Sequence, residues 1–221
     1  MATACGDDFI ACVTEGGEVW AWSNGEKGFI EDDKLLPQRV GGLEDFDAPV
    51  VMIAAGCDHS ACAANGRLWS WGNGDFGKLG IGDEEKRQRP VRLSKEVLDG
   101  ASAVMVACGR FHTVALTADG RVWTCGLGES GQLGHGNTAN HFVLTQVAFC
   151  RSVDMVAAGA RHSVAIDEGG GVWSWGKGQY GCLGHGDEED RLVPTAITIG
   201  EALCEVRVIV VSAGNAAWAV S

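Results

Sequence analysis

Hydrophobic and polar residues alternate along this chain in short runs that recur with a long period. Four runs rich in small and β-branched apolar residues lie close before a glycine, at residues 51–54, 104–107, 153–158 and 208–211. Short apolar runs bounded by glycine are typical of buried β-strands. No helical periodicity of ten residues or more occurs, so the pattern predicts an all-β chain.

Each of these runs is predicted to be followed by three more strands. A second run leads to a pair of turn residues, which are Gly16-Gly17, Asn65-Gly66, Asp119-Gly120 and Gly169-Gly170. Such pairs accept positive φ angles, which predicts two-residue type I′ hairpins. The third run carries tryptophans at alternate positions, which lie on one face of a strand. We expect a short fourth strand to begin at Pro37, Pro90, Leu144 and Pro194, since proline at the first strand residue interrupts no ladder of hydrogen bonds.

The glycine that precedes each second run marks the repeat. Gly6, Gly56, Gly109, Gly159 and Gly214 follow one another at intervals of 50, 53, 50 and 55 residues. A period of this length, with four strands in each period, predicts a β-propeller in which the tryptophans fill the space between neighbouring sheets. We therefore expect one domain over 1–221, with repeats near 1–49, 50–102, 103–152 and 153–205 and a partial repeat at 206–221.

Charge and composition narrow the classes of function. The formal net charge of −12 argues against a nucleic-acid-binding surface, and an acidic chain would attract a basic protein partner. The chain shows neither a membrane-length apolar run nor an amino-terminal signal pattern. Nine cysteines without a Cys-x-x-Cys pair are interpreted as small core residues in a reducing compartment, so we expect a cytoplasmic or nuclear protein.

Three strings match the dinucleotide pattern Gly-x-Gly-x-x-Gly, and they begin at Gly72, Gly126 and Gly176. A dinucleotide site needs a helix after the string, because the helix amino end holds the pyrophosphate. Here a Leu-Gly-x-Gly sequence follows each string, and glycine-rich sequence disfavours a helix. We therefore predict no nucleotide cofactor.

Histidines recur at two repeat positions, which are His59, His112 and His162 in one register and His135 and His185 in the other. Metal ligands must converge to within about 2 Å of one ion, whereas equivalent residues of successive blades lie apart. Structural hydrogen bonding is therefore the expected role. We predict no metal site and no catalytic residue, and hence no enzymatic activity.

The repeat pattern is clearest at residues 106–123, Val-Ala-Cys-Gly-Arg-Phe-His-Thr-Val-Ala-Leu-Thr-Ala-Asp-Gly-Arg-Val-Trp, followed by the glycine-rich residues 126–136. This pattern resembles the regulator of chromosome condensation repeat family. The resemblance implies a β-propeller that is usually seven-bladed, so about four blades would be an incomplete ring. It also implies protein partners, since members act as exchange factors for the Ran GTPase, as regulatory or substrate-binding domains of large ubiquitin ligases, as a plant ultraviolet-B receptor and as β-lactamase inhibitors.

The two residues after each motif glycine vary most, and the resemblance places this turn on one rim of the ring. The candidate protein-binding residues there are Asp7, Asp8, Asp58, Arg110, Phe111, Arg161 and Asn215. Arginine and aromatic residues are favoured at interfaces. The plant ultraviolet-B receptor of this family carries tryptophans at this turn. No tryptophan occupies these positions here, which argues against light sensing through such residues.

We interpret the chain as a non-enzymatic protein-interaction module. The alternatives are guanine-nucleotide exchange on a small Ran-like GTPase and a regulatory or substrate-binding domain of a large ubiquitin ligase. A stack of four blades would leave apolar faces at both ends. A closed four-bladed ring, a homodimer joined through the blade ends, or further blades would each cover them.

Overall fold

The computed structural model describes residues 2–7, 9–23, 36–41, 49–198, 210–213 and 217–220, and within these ranges the regular structure is β-strands and short 3₁₀ turns. Blade 1 comprises β1 (Ala2–Cys5), β2 (Phe9–Val13), β3 (Val19–Ser23) and β4 (Gln38–Arg39). Blade 2 comprises β5 (Val50–Ala55), β6 (His59–Ala64), β7 (Arg67–Gly72) and β8 (Arg87–Arg92). Blade 3 comprises β9 (Ala103–Cys108), β10 (His112–Thr117), β11 (Val122–Gly126) and β12 (His141–Gln146).

Blade 4 comprises β13 (Val153–Ala158), β14 (His162–Asp167), β15 (Val172–Gly176) and β16 (Arg191–Ala196), and a two-stranded sheet, β17 (Val210–Ala213) and β18 (Ala217–Val220), follows it. The 3₁₀ turns are Asp75–Gly77, Lys95–Leu98 and Gln179–Gly181. Each blade is an antiparallel meander in which sequential strands pair. The first strand of each blade contacts the first strand of the next, which stacks the blades around a common axis and confirms the expected all-β propeller architecture.

The core lies between the blades. Trp69 and Trp71 of blade 2 share an apolar cluster with Val13 and Val19 of blade 1. Trp175 of blade 4 packs in the same way among residues of blade 3, including Val122. Trp71 and Trp175 are almost completely buried, because alternation on the strand points both tryptophans of a pair toward the preceding sheet. Apolar burial between blades is therefore what holds one repeat to the next.

The hairpin prediction is correct for one of the four turns. Asn65 and Gly66 both have positive φ, 47° and 70°, and they link the paired residues Ala64 and Arg67 as a two-residue type I′ turn. In each of the other three hairpins only the second residue of the turn pair has a positive φ. These residues are Gly17, Gly120 and Gly170. The N–H of each donates to the carbonyl three residues earlier, at Thr14, Thr117 or Asp167. These are three-residue loops, in which a single left-handed glycine ends the turn.

The predicted start of the fourth strand is also wrong. β8 and β16 begin three residues earlier than expected, so Pro90 and Pro194 lie at the fourth of six residues. The strand pairs on one side only, and its register shifts opposite Trp71 and Trp175. Proline is tolerated at such an irregular point of an edge strand because no regular ladder bond is lost.

Removal of one buried tryptophan should destabilise the whole stack. Trp71→Ala and Trp175→Ala are each expected to lower the free energy of unfolding by about 3–5 kcal/mol, as large core deletions do. Val51→Ala is the control, because Val51 is 65% exposed, and it should change stability by less than about 0.5 kcal/mol. Urea unfolding followed by tryptophan fluorescence and by circular dichroism measures both. Tryptophan variants as stable as the control would contradict this account of the core.

The motif glycines allow the backbones of neighbouring blades to touch. A Cβ atom on Gly56 would clash with the carbonyl oxygen of Gly109, and a Cβ atom on Gly109 would clash with that of Gly159. Neither glycine has a positive φ, so the requirement is for space and not for conformation. Glycine at this position is therefore a condition for stacking the blades.

Gly56→Ala and Gly16→Ala provide a matched pair of substitutions. Gly56→Ala should destabilise the protein by about 1–3 kcal/mol, the usual cost of overpacking, because the new methyl group meets backbone that cannot turn aside. At Gly16 the nearest atom to a new Cβ is Thr14 Oγ1 at 3.8 Å, so this variant should fold normally. Melting temperatures of the two variants are measured side by side. An equal decrease in melting temperature for both variants would show that Gly56 and Gly16 matter only for backbone flexibility.

Candidate functional site: the inner rim

The turns that follow the motif glycines meet at the axis. Residues 6–7, 56–58, 109–111 and 159–161 form this surface, which we call the inner rim. It surrounds a cavity of about 260 Å³ whose lining comes from all four blades. All of the lining residues are glycine, alanine or cysteine except Asp7 and Arg110. The small residues let the turns approach one another, and they leave one carboxylate and one guanidinium at the mouth of the cavity.

Buried histidines fix the turns from below. His59 Nε2 lies 2.9 Å from Thr113 Oγ1 of the next blade, and His112 Nε2 lies 2.9 Å from Ser163 Oγ. Each hydroxyl donates to a carbonyl, Thr113 to Lys78 at 2.7 Å and Ser163 to Gln132 at 2.8 Å. The hydroxyl must therefore accept from an Nε2–H, which assigns the histidine tautomer. The expected structural role of His59 and His112 is confirmed by these bonds.

The second set of histidines has a similar role within a blade. His135 Nε2 lies 3.0 Å from Thr124 Oγ1, and His185 Nε2 lies 3.0 Å from Ser174 Oγ. These bonds tie the glycine-rich loop of a blade to its third strand. Among the described residues, no group of three or more histidine, cysteine or acidic side chains is placed to hold a metal ion.

The centre of the inner rim is a cluster of two arginines on one phenylalanine. The guanidinium carbons of Arg110 and Arg161 each lie 5.3 Å from the centre of the Phe111 ring, within the range of a cation–π interaction. The edge of Phe76 meets the same ring at 6.0 Å and 88°. Glu129 forms an ion pair with Arg161, whereas Arg110 is exposed and pairs with no acidic group in the described part of the chain. The cluster thus presents apolar rings and one cation that forms no ion pair among the described residues, with the Asp7 carboxylate lining the same cavity.

The acidic candidates occupy different surroundings. Asp7 is exposed at the cavity mouth. Asp58 is only 20% exposed, and it lies 3.1 Å from the buried ammonium group of Lys78. Because an unpaired buried lysine is costly, the Asp58 carboxylate is committed to balancing that charge. Asp8 and Asn215 lie outside the described residues.

Two members of the cluster were not anticipated from the sequence. Phe76 and Glu129 belong to the glycine-rich loops of blades 2 and 3, and each reaches the turn of the following blade to contact Phe111 or Arg161. The available signal was the repeat register, in which Phe76, Ser130 and Tyr180 occupy the same place in the Gly-x-Gly-x-x-Gly string. Phe76 and Tyr180 share an uncommon backbone conformation there, with φ of 63° and 62°.

The same loops show why glycine recurs in the strings. The residues after Gly74 and Gly178 form 3₁₀ turns with a left-handed residue inside them, and no α-helix follows. A Cβ atom on either glycine would clash with the carbonyl oxygen of Glu85 or Glu189. The glycines serve loop-to-loop packing, and the helix amino end that a pyrophosphate requires is missing from these described loops.

Sequence comparison decides the family. The sequence model of the RCC1-like domain matches residues 1–220. The chain belongs to the RCC1-like domain family. The resemblance seen in the repeats is thereby confirmed, together with the incomplete propeller of four-stranded blades.

Individual relatives of this RCC1-like domain are diverse. It is 37% identical over 145 residues to the ultraviolet-B receptor UVR8 of Arabidopsis thaliana, which covers 63% of the chain and 32% of the receptor. It is 36% identical over 140 residues to the E3 ubiquitin-protein ligase HERC2 of Homo sapiens, which covers 60% of the chain and 3% of the ligase. The chain thus spans a third or less of these relatives.

Solved structures match this chain over nearly all of its length. Prp20p of Saccharomyces cerevisiae, described with its binding properties to Gsp1p and histones, superposes on 100% of the chain with a TM-score of 0.84 and 28% identity. The match covers 56% of Prp20p. Human WBSCR16 matches with a TM-score of 0.85 at 24% identity, which supports the fold alone. The described blades are therefore arranged like part of a larger ring, not like a tighter ring of four.

No helix among the described residues has the length and apolar character to cross a membrane.

Acid should weaken this fold through the inter-blade histidines. Burial lowers the pKa of His59 and of His112 to about 3. An unfolded histidine titrates near pH 6.5. Between about pH 6.5 and pH 3, these two histidines are therefore protonated in the unfolded chain but neutral in the folded chain. Stability is therefore full above pH 6.5 and falls as the pH drops, by about 2 kcal/mol per histidine at pH 5. Urea unfolding at pH 7 and pH 5 measures the loss.

The double variant His59→Gln/His112→Gln is the control for this pH effect. It should be less stable at pH 7, because both bonds between blades are altered, but its stability should change less between pH 7 and pH 5. Parallel pH profiles for the variant and the native chain would assign the acid sensitivity to other groups.

Proposed function

We propose that this RCC1-like domain is a non-enzymatic protein-interaction module that binds its partner through the inner rim. The observation that carries the proposal is the cluster of Arg110, Phe111 and Arg161 on the inner rim, in which Arg110 also lines the axial cavity. Arginines and aromatics that stand together on a rigid scaffold are the residue types that dominate binding energy in protein interfaces. Backbone packing and histidine bonds fix the turns that carry them, so little ordering would be required on binding.

The comparisons support a protein as the partner and leave its class as a proposal. Prp20p, which matches the full chain, is described as binding Gsp1p and histones. Guanine-nucleotide exchange on a small GTPase is accordingly our second candidate function. A role as a substrate-binding or regulatory domain of a larger ligase is favoured by the similarity to HERC2.

A basic partner is compatible with the outer loops. The net charge is −12, and the exposed acidic residues Glu84 and Glu85 of blade 2 have equivalents in Glu188 and Glu189 of blade 4. Glu84 also accepts a hydrogen bond from the N–H of Phe76, so these acids lie next to the loops of the rim. A field of this sign would speed the approach of a basic protein, while the cluster itself would provide the specific contacts.

Substitution of the cluster should separate binding from folding. Arg110→Ala and Phe111→Ala are expected to weaken binding of a partner, recovered with the native chain and then purified, by about 10-fold to 30-fold, the usual range for interface anchors. The control is Arg92→Ala, since Arg92 is exposed at the far end of β8. Calorimetry gives the affinities, and melting temperatures should stay within a degree or two of the native value. Loss of binding equal to that of the control would remove the inner rim as the binding site.

The exchange hypothesis has a direct assay. Gsp1p loaded with a fluorescent GDP analogue is mixed with the native chain, and release is followed as fluorescence decay with Prp20p as the positive control. Release accelerated by the native chain and slowed by Arg110→Ala would favour an exchange factor. Release at the spontaneous rate, with rim-dependent binding of another protein retained, would leave the interaction module as the function.

A further inference from the structure

Three phenylalanines form a stripe across the junction of blades 2 and 3. Phe111 lies at the inner rim and Phe76 meets it edge to face at 6.0 Å. A Cβ atom on Gly77 would lie 2.8 Å from Phe142 Cδ1, so the ring of Phe142 covers the residue next to Phe76. Phe142 is 40% exposed and is the second residue of the outer strand β12. We call Phe111, Phe76 and Phe142 the phenylalanine stripe, which runs from the axis toward the outer edge.

The next junction has a different composition at the same positions. Between blades 3 and 4 the equivalent residues are Arg161, Ser130 and Leu192. Ser130 is buried, and it carries no apolar side chain that could join the two others. The phenylalanine stripe is therefore a property of one junction and not of the repeat pattern, which argues against a purely structural origin.

The backbone of the stripe is held in an unfavourable conformation. Phe76 has a φ of 63°, and the left-handed region costs a residue with a Cβ atom about 1–2 kcal/mol. Glycine or asparagine would remove most of this cost, yet the position carries a large aromatic ring. Tyr180 has the same conformation at the equivalent place in blade 4, with a φ of 62°, so the conformation belongs to the loop, and what distinguishes this junction is the pair of rings that Phe76 and Phe111 form.

Charge identifies the ligand that would suit the stripe. At its inner end Arg110 is an exposed cation that stacks on Phe111 and pairs with no acid in the described part of the chain. The neighbouring cation, Arg161, is already neutralised by Glu129. A carboxylate brought to Arg110 would gain a charge-assisted hydrogen bond, and the rest of this acidic chain would repel the same group elsewhere.

We propose that the phenylalanine stripe is the docking groove for an extended acidic and apolar segment of a partner protein. A carboxylate of the segment pairs with Arg110, and one or two large apolar side chains pack on Phe76 and Phe142. This inference rests on the proposed function, because it specifies the chemistry of the segment that the inner rim binds.

The test is an unbiased selection of displayed random peptides on the full chain. The enriched peptides are then synthesised with a fluorophore, and their affinities are measured by anisotropy. We expect peptides in which Asp or Glu stands within a few residues of Leu, Phe or Trp. Replacement of the acids by Asn or Gln in the peptide should weaken binding by about tenfold or more, equivalent to about 1.4 kcal/mol.

Matched variants of the protein locate the groove. Arg110→Glu and Phe142→Ala should each weaken the selected peptides about tenfold or more. Arg92→Glu, with the same charge change away from the rim, and Leu192→Ala, the repeat-equivalent truncation in blade 4, should leave them unchanged. Binding should also fall as salt is raised, because the pair formed by Arg110 is close to solvent.

Each contrary outcome has a distinct meaning. Basic or uncharged peptides that lose binding in Phe111→Ala would overturn the acidic class while retaining the inner rim as a binding surface. Acidic peptides insensitive to both Arg110→Glu and Phe142→Ala would overturn the groove. Peptides insensitive to every rim substitution would count against the proposed function as well. Failure to enrich any peptide would exclude an extended segment, and partner affinities of the alanine variants would then decide the proposed function by themselves.

Discussion

The spacing of blades 2, 3 and 4 depends on one contact that is repeated between them: a buried histidine that donates to the hydroxyl of the next blade beside a glycine with no room for a side chain. His59 and Thr113 form this bond between blades 2 and 3, and His112 and Ser163 form it between blades 3 and 4. A blade alone cannot bury both of its faces, so the stack is stable only if neighbours meet at a fixed distance. The hydroxyl in turn donates a hydrogen bond to a loop carbonyl, which ties the glycine-rich loop of one blade to the inner strands of the next.

This contact also determines which residues are free to vary. Packing between blades requires the glycine and the histidine, whereas the two residues between them lie at the rim. In blade 2 one of these, Asp58, balances Lys78, whose aliphatic stem and ammonium group are buried under the loop. In blade 3 the residue equivalent to Lys78 is Gln132, which needs no counter-ion. Phe111, the residue equivalent to Asp58, is thereby released for the surface cluster.

The sequence predicts the fold well because the constraints on it are local. Alternation along strands and turn residues depend on residues close in the chain, the glycine intervals show that this local pattern recurs, and together they indicate four-stranded blades. Hairpin type and the start of the outer strand depend on how strand ends pair. Thr14 and Glu18 close a loop of three residues that a Gly-Gly pair alone does not reveal. Beyond the register shift opposite Trp71, Gly72 still pairs with Arg87, so β8 begins before Pro90.

The candidate site likewise contains residues that the sequence predicts and residues that only the structure reveals. Arg110 and Phe111 adjoin in sequence, and they were predicted from the repeat register together with the family resemblance, which implies that this turn lies on a rim. Phe76 and Glu129 come from loops more than thirty residues away from the side chains that they contact, as the separation of 32 residues between Glu129 and Arg161 shows. No periodicity within one repeat reports a contact between two repeats, so these partners required the geometry of the stack.

The family assignment does not by itself determine function, because an ultraviolet-B receptor, a ubiquitin-protein ligase and a protein described as binding Gsp1p and histones share this fold. What differs between such proteins must be the side chains that the scaffold leaves exposed. Here the scaffold is strongly acidic, yet its rim concentrates two arginines around one ring. The net negative charge would therefore attract a basic protein at long range, whereas the arginines of the rim would bind an acidic group at short range. A partner with a basic body and an acidic, apolar docking segment would satisfy both, and a uniformly acidic or uniformly basic partner would satisfy only one.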